Sequence, residues 1–209
     1  MRFEHDVPDL EAMKTLAQRI ARVLRPGDVL GLDGPMGAGK TTFVRMMMES
    51  LGVEAGAVSS PTFVVAAEYP YLGGVAIHID AYRLGSGAEL EGTGWDDRRG
   101  EEVVVIEWAA RVEEVLPAES ARVWIEPTGE TSRRVRFDLP ESWDSREGCG
   151  ALIRGDTICP VTGVPVSGEN PHWPFADERA RWADLYRWFS GQHVLSRRVD
   201  ASGEADVGN

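Results

Sequence analysis

Cysteine is scarce in this chain, and so are long apolar runs. Its 209 residues include only two cysteines, Cys149 and Cys159, which are too few for a disulfide scaffold. No stretch of about eighteen consecutive apolar residues is present, so hydropathy predicts no membrane-spanning helix. The first six residues also lack the apolar stretch of a secretory signal. We therefore expect a cytoplasmic protein that makes no contact with a membrane.

Positive charge is in deficit as well. The formal net charge is −12 at pH 7, and only two of the 22 basic residues, Lys14 and Lys40, are lysines. An acidic chain is poorly suited to hold nucleic acid through its phosphates without help. If the protein acts on RNA, we expect a partner to hold the RNA. The hydrophobic fraction of 43% and the chain length are sufficient for one packed domain and an appendage.

One of the two lysines stands in a glycine-rich stretch that fits the P-loop pattern G-x-x-x-x-G-K-[ST], namely Gly34-Pro35-Met36-Gly37-Ala38-Gly39-Lys40-Thr41. A P-loop leaves a buried strand and opens a helix. Residues 28–32 have the apolar character of a short strand, and residues 42–51 have that of a helix that Gly52 would end. This context favours a nucleotide-binding loop over a glycine-rich turn that holds no nucleotide.

The residue types of the loop predict a nucleoside triphosphate with Mg²⁺. Glycine lets the backbone approach the phosphates, and the following helix directs the positive end of its dipole at them. Lys40 brings a point charge to the β- and γ-phosphates, and the Thr41 hydroxyl is placed to ligate Mg²⁺. The residues predicted to bind the phosphates are Gly37, Ala38, Gly39, Lys40, Thr41 and Thr42.

The alternation of strand and helix patterns predicts an α/β fold. Strands are predicted at residues 28–32, 63–69, 75–80, 103–106, 121–126 and 133–139. Helices are predicted at residues 8–24, 42–51, 81–91 and 109–115. We expect a P-loop NTPase domain with a mixed, mainly parallel sheet flanked by helices, followed by a small C-terminal appendage.

Two acidic residues follow predicted strands and could complete the site. Asp80 ends an apolar strand, and Glu107 follows the continuous apolar run at 103–106. Open α/β sheets bind ligands at the carboxyl ends of their strands, where a carboxylate can hold a metal ion. Which of the two lies closer to the metal stays open, although the stronger apolar run favours Glu107. His78 is interpreted as a packing or surface residue, and Trp108 as either a core residue or a wall of the nucleotide pocket.

Six short blocks follow one another along the first 140 residues: residues 37–43, Ser60-Pro61-Thr62, His78-x-Asp80-x-Tyr82-Arg83-Leu84, Glu89-Leu90, Ile106-Glu107-Trp108 and Leu116-Pro117. In their order and spacing these blocks resemble the TsaE (YjeE) family of small bacterial ATPases, and the resemblance covers residues 1 to 140. Members of this family assist the synthesis of threonylcarbamoyladenosine in tRNA. The resemblance implies a Mg²⁺-dependent ATPase, slow alone, that acts on a complex of TsaB and TsaD and meets tRNA only indirectly.

The resemblance also implies roles for single residues. Thr41 and Glu107 would ligate Mg²⁺, and Asp80 would complete the acidic site. Thr62 would sense the γ-phosphate, and Arg133 would lie near the nucleotide. The residues expected to act in catalysis are thus Lys40, Thr62, Asp80 and Glu107, and Trp108 and Arg133 are expected to join the loop in binding ATP.

The appendage has a composition of its own. Residues 141–157 are polar and contain glycine, which predicts a linker, and residues 199–209 are expected to be disordered. Residues 158–198 resemble the YacG family of small zinc ribbons, but the four ligand positions of that family fall on Cys159, Thr162, Ala176 and Ala180. One thiolate cannot hold a tetrahedral zinc site, so we expect a degenerate ribbon without zinc.

Two other functions stay open. A nucleotide-gated binding module that hydrolyses little ATP would carry the same residues, and the sequence does not separate it from an ATPase. A small-molecule kinase would need an acceptor pocket and an arginine-bearing lid, and neither stands out. A GTPase is disfavoured, because neither Lys14 nor Lys40 stands in the guanine-binding Asn-Lys-x-Asp signature.

Overall fold

The chain forms two compact units in the computed structural model, Met1–Gly155 and Asp156–Asn209. The structure describes residues 1–61, 65–98 and 100–190. The strands of the first unit are β1 (Arg2–Val7), β2 (Val29–Asp33), β3 (Ala66–Tyr71), β4 (Gly74–Asp80), β5 (Val103–Glu107), β6 (Ala121–Pro127) and β7 (Arg133–Asp138). Its helices are α1 (Leu10–Val23), α2 (Lys40–Leu51), α3 (Gly87–Glu91) and α4 (Cys149–Arg154), with 3₁₀ turns at Ala81–Arg83, Trp95–Asp97, Ala109–Val115 and Glu141–Trp143.

The seven strands form one sheet in the order β1-β7-β6-β2-β5-β4-β3. The central strands β6, β2, β5 and β4 are parallel neighbours. β7 pairs antiparallel with β6 and with β1, and β3 pairs antiparallel with β4. The predicted mixed sheet is therefore confirmed. Its parallel strands lie in the middle of the sheet. The carboxyl ends of β2, β5 and β4 therefore lie side by side, where the loops that follow these strands begin.

Both faces of the central strands are covered, because successive side chains of a strand point to opposite faces. In β5, Val103 and Val105 join the core that α1, α2 and α4 cover, whereas Val104 and Ile106 join a second core under residues 81–115. All five residues of β5 are buried, as predicted for a central strand. A layer of helices and turns thus lies on each face of the sheet.

Two predicted helices are not continuous α-helices. The segment predicted as a helix at 81–91 is a 3₁₀ turn at Ala81–Arg83 and the short α3, because the backbone is extended at Leu84 and Ser86. The segment at 109–115 is 3₁₀ and is kinked at Val112.

α1 and α2 begin and end within two residues of the predicted positions. α1 begins at Asp9, whose side chain accepts a hydrogen bond from the Ala12 amide at 2.9 Å. α2 ends at Gly52, which has a φ of 106° and donates its amide to the carbonyl oxygens of Met48 and Glu49. The first turn of α2 is the end of the P-loop, so the start of this helix fixes the position of the candidate site.

Two strands differ from the prediction. β1 is absent from the predicted strands. Its exposed residues Arg2, Glu4 and Asp6 alternate with more buried ones. Its partner β7 lies more than 120 residues away in the chain. A local pattern does not reveal such a distant pairing. β3 begins at Ala66, whereas the predicted strand began at 63; residues 62–64 lie outside the described residues.

Most of the predicted linker at 141–157 belongs to the first unit. Residues 141–154 form a 3₁₀ turn and α4, and Trp143, Cys149 and Leu152 are buried in the core of that unit. Arg146 also pairs with Asp28, with 2.9 Å between Nη2 and Oδ1. The polar composition was misleading, because three buried side chains are spaced among exposed polar and glycine residues. The boundary between the units lies at residue 155.

The second unit is small. β8 (Thr157–Ile158) pairs antiparallel with β9 (Pro165–Val166), and α5 (Glu178–Phe189) follows. Cys159 and Ala180 are buried in one apolar cluster, and Ala176 packs against it. Three of the four positions that correspond to zinc ligands in the zinc-ribbon family therefore meet in this cluster. They contribute one thiol, from Cys159, and the methyl groups of Ala176 and Ala180. Residues 191–209, which include the predicted disordered tail, lie outside the described residues.

The pKa of the Cys159 thiol is lower than that of an ordinary cysteine. Burial acts to raise its pKa, but hydrogen bonds from Thr162 and from the backbone of Ala176 and Val161 outweigh this effect and lower the pKa from 9.0 to about 7. The Thr162 amide lies 3.4 Å from Sγ. A lowered thiol pKa contributes stability that is present above pH 9 and is lost as the pH falls through 7.

We therefore expect the second unit to become more stable between pH 7 and pH 9. The measurement is hydrogen exchange of its backbone amides in the full reduced chain, corrected for intrinsic exchange rates. In Cys159→Ser the hydroxyl does not titrate in this range, so the rise should disappear. An equal rise in that variant would contradict the assignment to Cys159.

Candidate functional site

The P-loop joins β2 to α2 through a backbone that requires glycine. Gly34 has a φ of 141°, and a Cβ on it would lie 2.2 Å from the carbonyl oxygen of Ile125 in β6. Gly39 has a φ of 105° and leads directly into α2. The first amides of a helix have no partner inside the helix, and they carry the positive end of its dipole. The end of the loop is therefore an anion-binding position.

Lys40 lies folded against this loop. Its side chain is buried, and Nζ donates hydrogen bonds to the carbonyl oxygens of Gly34 at 2.9 Å and Pro35 at 3.0 Å. The same ammonium lies 3.6 Å from the centre of the Trp108 ring, a cation–π contact. Burial lowers the pKa of Lys40 below the ordinary lysine value, and the neighbouring carboxylates, Glu107 first among them, oppose this shift.

The two strand-end acids lie beside the loop on neighbouring strands. Asp80 of β4 and Glu107 of β5 are Cα partners in the sheet, and Leu32 of β2 is the partner of Glu107 on the other side. Both acidic side chains are buried. Glu107 Oε2 accepts a hydrogen bond from the Thr41 hydroxyl at 2.9 Å, and its Oε1 lies 2.9 Å from His78 Nε2. The sheet thus brings a carboxylate to the first turn of α2.

Asp80 is held by the segments on either side of β4. Its Oδ1 accepts from the Tyr82 amide at 3.0 Å, and its Oδ2 accepts from the Ser60 hydroxyl at 2.8 Å. Ser60 directly precedes Pro61 and the residues 62–64 that lie outside the described part of the chain. Asp80 therefore binds the chain two residues before Thr62 in the sequence.

A cavity of about 390 Å³ lies over the loop. It is lined by Met36, Gly37, Gly39, Lys40, Thr41, Thr42, Ser60, Asp80, Tyr82, Glu107 and Trp108. Most of the residues singled out in the sequence thus meet in one place, which we call the phosphate-side cavity. Trp108 lines this cavity and also packs against the core under residues 81–115, so it combines features of both interpretations. Its φ of 59° is unusual for a residue other than glycine. The predicted role of Thr62 falls outside the described residues.

Arg133 lies on the other side of the loop. A second cavity of about 430 Å³, which we call the helix-side cavity, is lined by Asp9, Leu10, Met13, Ala38, Gly39, Thr42, Thr131 and Arg133. Arg133 Nε donates to the Ala38 carbonyl oxygen at 2.9 Å, so this side chain braces the loop from behind. Gly39 and Thr42 line both cavities, which therefore meet at the start of α2.

Several lining residues were not predicted. Tyr82 places its ring 5.1 Å from that of Trp108, and Ser60 binds Asp80. Both stand in motifs that the sequence had marked, so their positions beside named residues were the available signal. Leu10 and Met13 of α1 and Thr131 of the β6–β7 loop had no such signal, because only the sheet topology brings them to the loop.

The residues present fit Mg²⁺ with a nucleoside triphosphate. Mg²⁺ prefers oxygen ligands, keeps several waters and takes part of its coordination from the substrate's phosphates. The Thr41 hydroxyl and the carboxylates of Glu107 and Asp80 supply such oxygen atoms. Within the described residues, no group of three or more His, Cys, Asp or Glu side chains could hold a metal ion. Nor is any helix in this part of the chain long and apolar enough to cross a membrane.

Comparison with known proteins identifies the family. The model of the family described as threonylcarbamoyl adenosine biosynthesis protein TsaE matches residues 7–135. The tRNA threonylcarbamoyladenosine biosynthesis protein TsaE of Streptomyces coelicolor is 43% identical over an alignment of 139 residues that covers 63% of this chain and 93% of that protein. The protein of the same name from Bacillus subtilis is 39% identical over 128 residues, or 61% of this chain and 79% of that protein.

A solved structure supports the same conclusion. The crystal structure of Bacillus subtilis YdiB superposes with a TM-score of 0.58 at 30% sequence identity, covering 73% of this chain and 94% of that one. The family model spans more than half of the chain and includes every residue that lines the phosphate-side cavity. This protein therefore belongs to the TsaE family.

Proposed function

We propose that the protein binds Mg·ATP at the P-loop and hydrolyses it in support of threonylcarbamoyladenosine modification of tRNA, acting on a complex of TsaB and TsaD. The observation that carries the enzymatic part is the hydrogen bond of 2.9 Å between Thr41 and Glu107. It joins the first turn of the P-loop helix to a buried strand-end carboxylate. The part concerning tRNA rests on the names of the relatives and on the family model.

The two cavities divide the nucleotide between them. The phosphate-side cavity offers the loop amides, Lys40 and two carboxylates, which suit phosphates and a metal ion. The helix-side cavity offers the apolar side chains of Leu10 and Met13 together with Arg133, and this lining suits a nucleoside. Because the cavities meet at Gly39 and Thr42, one ATP molecule can occupy both.

The residues of the phosphate-side cavity have distinct tasks. Lys40 leaves the carbonyl oxygens of Gly34 and Pro35 and binds the β- and γ-phosphates, where the loop amides stabilise developing negative charge. Thr41 and Glu107 would hold Mg²⁺, and Asp80 would order its water shell. A bound Mg²⁺ would supply neutralisation of the phosphate charge, and hydrolysis would be in-line attack of water on the γ-phosphate. We assign to Thr62 the sensing of that phosphate.

Hydrolysis by this protein alone is expected to be slow. Among the described residues that line the phosphate-side cavity, Lys40 is the one cation. P-loop NTPases commonly gain a further cation from a partner, which raises turnover by about 10³- to 10⁵-fold. The absence of an arginine from the described lining therefore supports a partner-stimulated enzyme, and the TsaB–TsaD complex is the proposed partner.

The test is ATP turnover by the full chain, alone and with the TsaB and TsaD proteins of the same organism. We expect slow turnover alone and a rise of at least about tenfold with both partners. Thr41→Val is the matched control, because it removes the hydroxyl and keeps the volume, and it should not be stimulated. Association with TsaB–TsaD is measured in parallel with ATP, with ADP and without nucleotide.

The outcomes separate the alternatives. No stimulation together with no ATP-dependent association would contradict the proposal. ATP-dependent association with little turnover would identify a nucleotide-gated binding module. Phosphate transfer to a metabolite in the absence of partners would identify a kinase.

A further inference from the structure

His78 is a polar residue in the middle of a buried strand. It lies in β4 between Ile77 and Ile79, is fully buried, and has Val105 of β5 as its Cα partner. Burying a polar ring costs free energy unless hydrogen bonds compensate for it. The position therefore carries a cost that an aliphatic side chain would avoid, and the contacts of His78 show what the ring does there.

The ring has one hydrogen bond, and it goes to the candidate site. Nε2 lies 2.9 Å from Glu107 Oε1, and both side chains are almost completely buried. Nδ1 has no hydrogen-bond partner among the described residues. Carboxylate oxygens accept hydrogen bonds, so an N–H at Nε2 donates this hydrogen bond to Glu107. The one hydrogen bond of the His78 ring among the described residues is thus made to a single oxygen of Glu107.

The two carboxylate oxygens of Glu107 therefore have different hydrogen-bond partners. Oε1 is bound by His78 from inside the sheet, and Oε2 is bound by Thr41 from the P-loop helix. A carboxylate held at one oxygen by a buried donor cannot rotate freely about its last bond. The oxygen on the Thr41 side therefore stays directed toward the loop even when the Thr41 hydroxyl turns to another partner.

We propose that His78 is a positioning residue that orients the Glu107 carboxylate for the metal ion. This inference rests on the proposed function, because it requires Mg·ATP at the P-loop. Groups that hydrogen-bond to metal ligands fix the orientation of those ligands, and their loss commonly lowers metal affinity by about 10- to 100-fold. His78 acts through Glu107, lies behind it, and does not line the phosphate-side cavity.

The test compares two substitutions of His78 in the full chain. His78→Gln keeps an N–H donor at about the reach of Nε2, whereas His78→Leu fills similar space without a donor. The first readout is the affinity for Mn²⁺ in the presence of ADP, measured by electron paramagnetic resonance. We expect a loss of about 10- to 100-fold in His78→Leu and a loss of less than about threefold in His78→Gln. The second readout is the ADP affinity in EDTA, which should be unchanged in both variants.

Each outcome decides between specific claims. If the unmodified protein binds no ADP or no Mn²⁺, the proposed function fails first. If it binds both and His78→Leu matches it, the positioning role is wrong. Equal losses with and without metal would show a purely structural role and would also overturn it. Should His78→Leu fail to fold, His78→Asn, whose amide is too short to reach Glu107, replaces it in the comparison with His78→Gln.

Discussion

Lys40→Ala is expected to abolish ATP hydrolysis and to weaken ATP binding strongly. The phosphate-side cavity has two carboxylates, Asp80 and Glu107, and Lys40 is its one cation within the described residues. Without that ammonium, the phosphates of ATP would enter a site with a surplus of negative charge. Removing one group that stabilises the transition state commonly lowers turnover by about 10²- to 10³-fold, and the loss of binding adds to this.

The second lysine of the chain supplies the control. Lys14 lies on the exposed side of α1, so Lys14→Ala changes the net charge by the same amount without touching the cavity. Turnover is measured by phosphate release, binding by calorimetry and folding by circular dichroism. Normal turnover in Lys40→Ala would contradict the assignment of the site.

The parts of the fold that follow from short stretches could be predicted from the sequence. The five buried residues of β5 form a continuous apolar run, and α2 has both its glycine end and its loop within the same twenty residues. β1 could not be found in this way, because its stability comes from pairing with β7 at the other end of the first unit. The buried side chains of Trp143 and Leu152 were missed for a related reason: they are isolated in a polar segment and are buried only by tertiary packing.

The candidate site shows the same division. Asp80 and Glu107 could be placed near the P-loop, because acids that follow parallel strands meet at one edge of a sheet. Their exact partners could not be foreseen. Whether Glu107 reaches Thr41 depends on the register of β5 against β2, and that register is set by packing on both faces of the sheet. His78 was interpreted as a packing or surface residue, yet its buried hydrogen bond to Glu107 links it to the site.

Gly34→Ala is expected to destabilise the first unit more than any other single-methyl addition in the P-loop. The new Cβ would lie 2.2 Å from the Ile125 carbonyl oxygen, a backbone atom that cannot move without shifting β6. The φ of 141° is also a conformation that alanine rarely adopts. Strained backbone of this kind costs about 1–3 kcal/mol by itself, and the steric overlap adds to it. We expect a loss of at least about 3 kcal/mol in the free energy of unfolding, or a failure to fold.

Gly37→Ala in the same loop is the matched control. Gly37 also has a positive φ, 75°, but a Cβ there would meet no atom within 4 Å. Alanine in this left-handed conformation costs about 1–2 kcal/mol, so the two variants separate the steric overlap from the cost of the backbone conformation. Urea unfolding without nucleotide measures both, since ATP would confound stability with binding. If Gly34→Ala lay within about 1 kcal/mol of Gly37→Ala, the close approach of the P-loop to β6 would be wrong. A large difference would support the conclusion that the neighbouring strand fixes where the loop presents Lys40 to the phosphates.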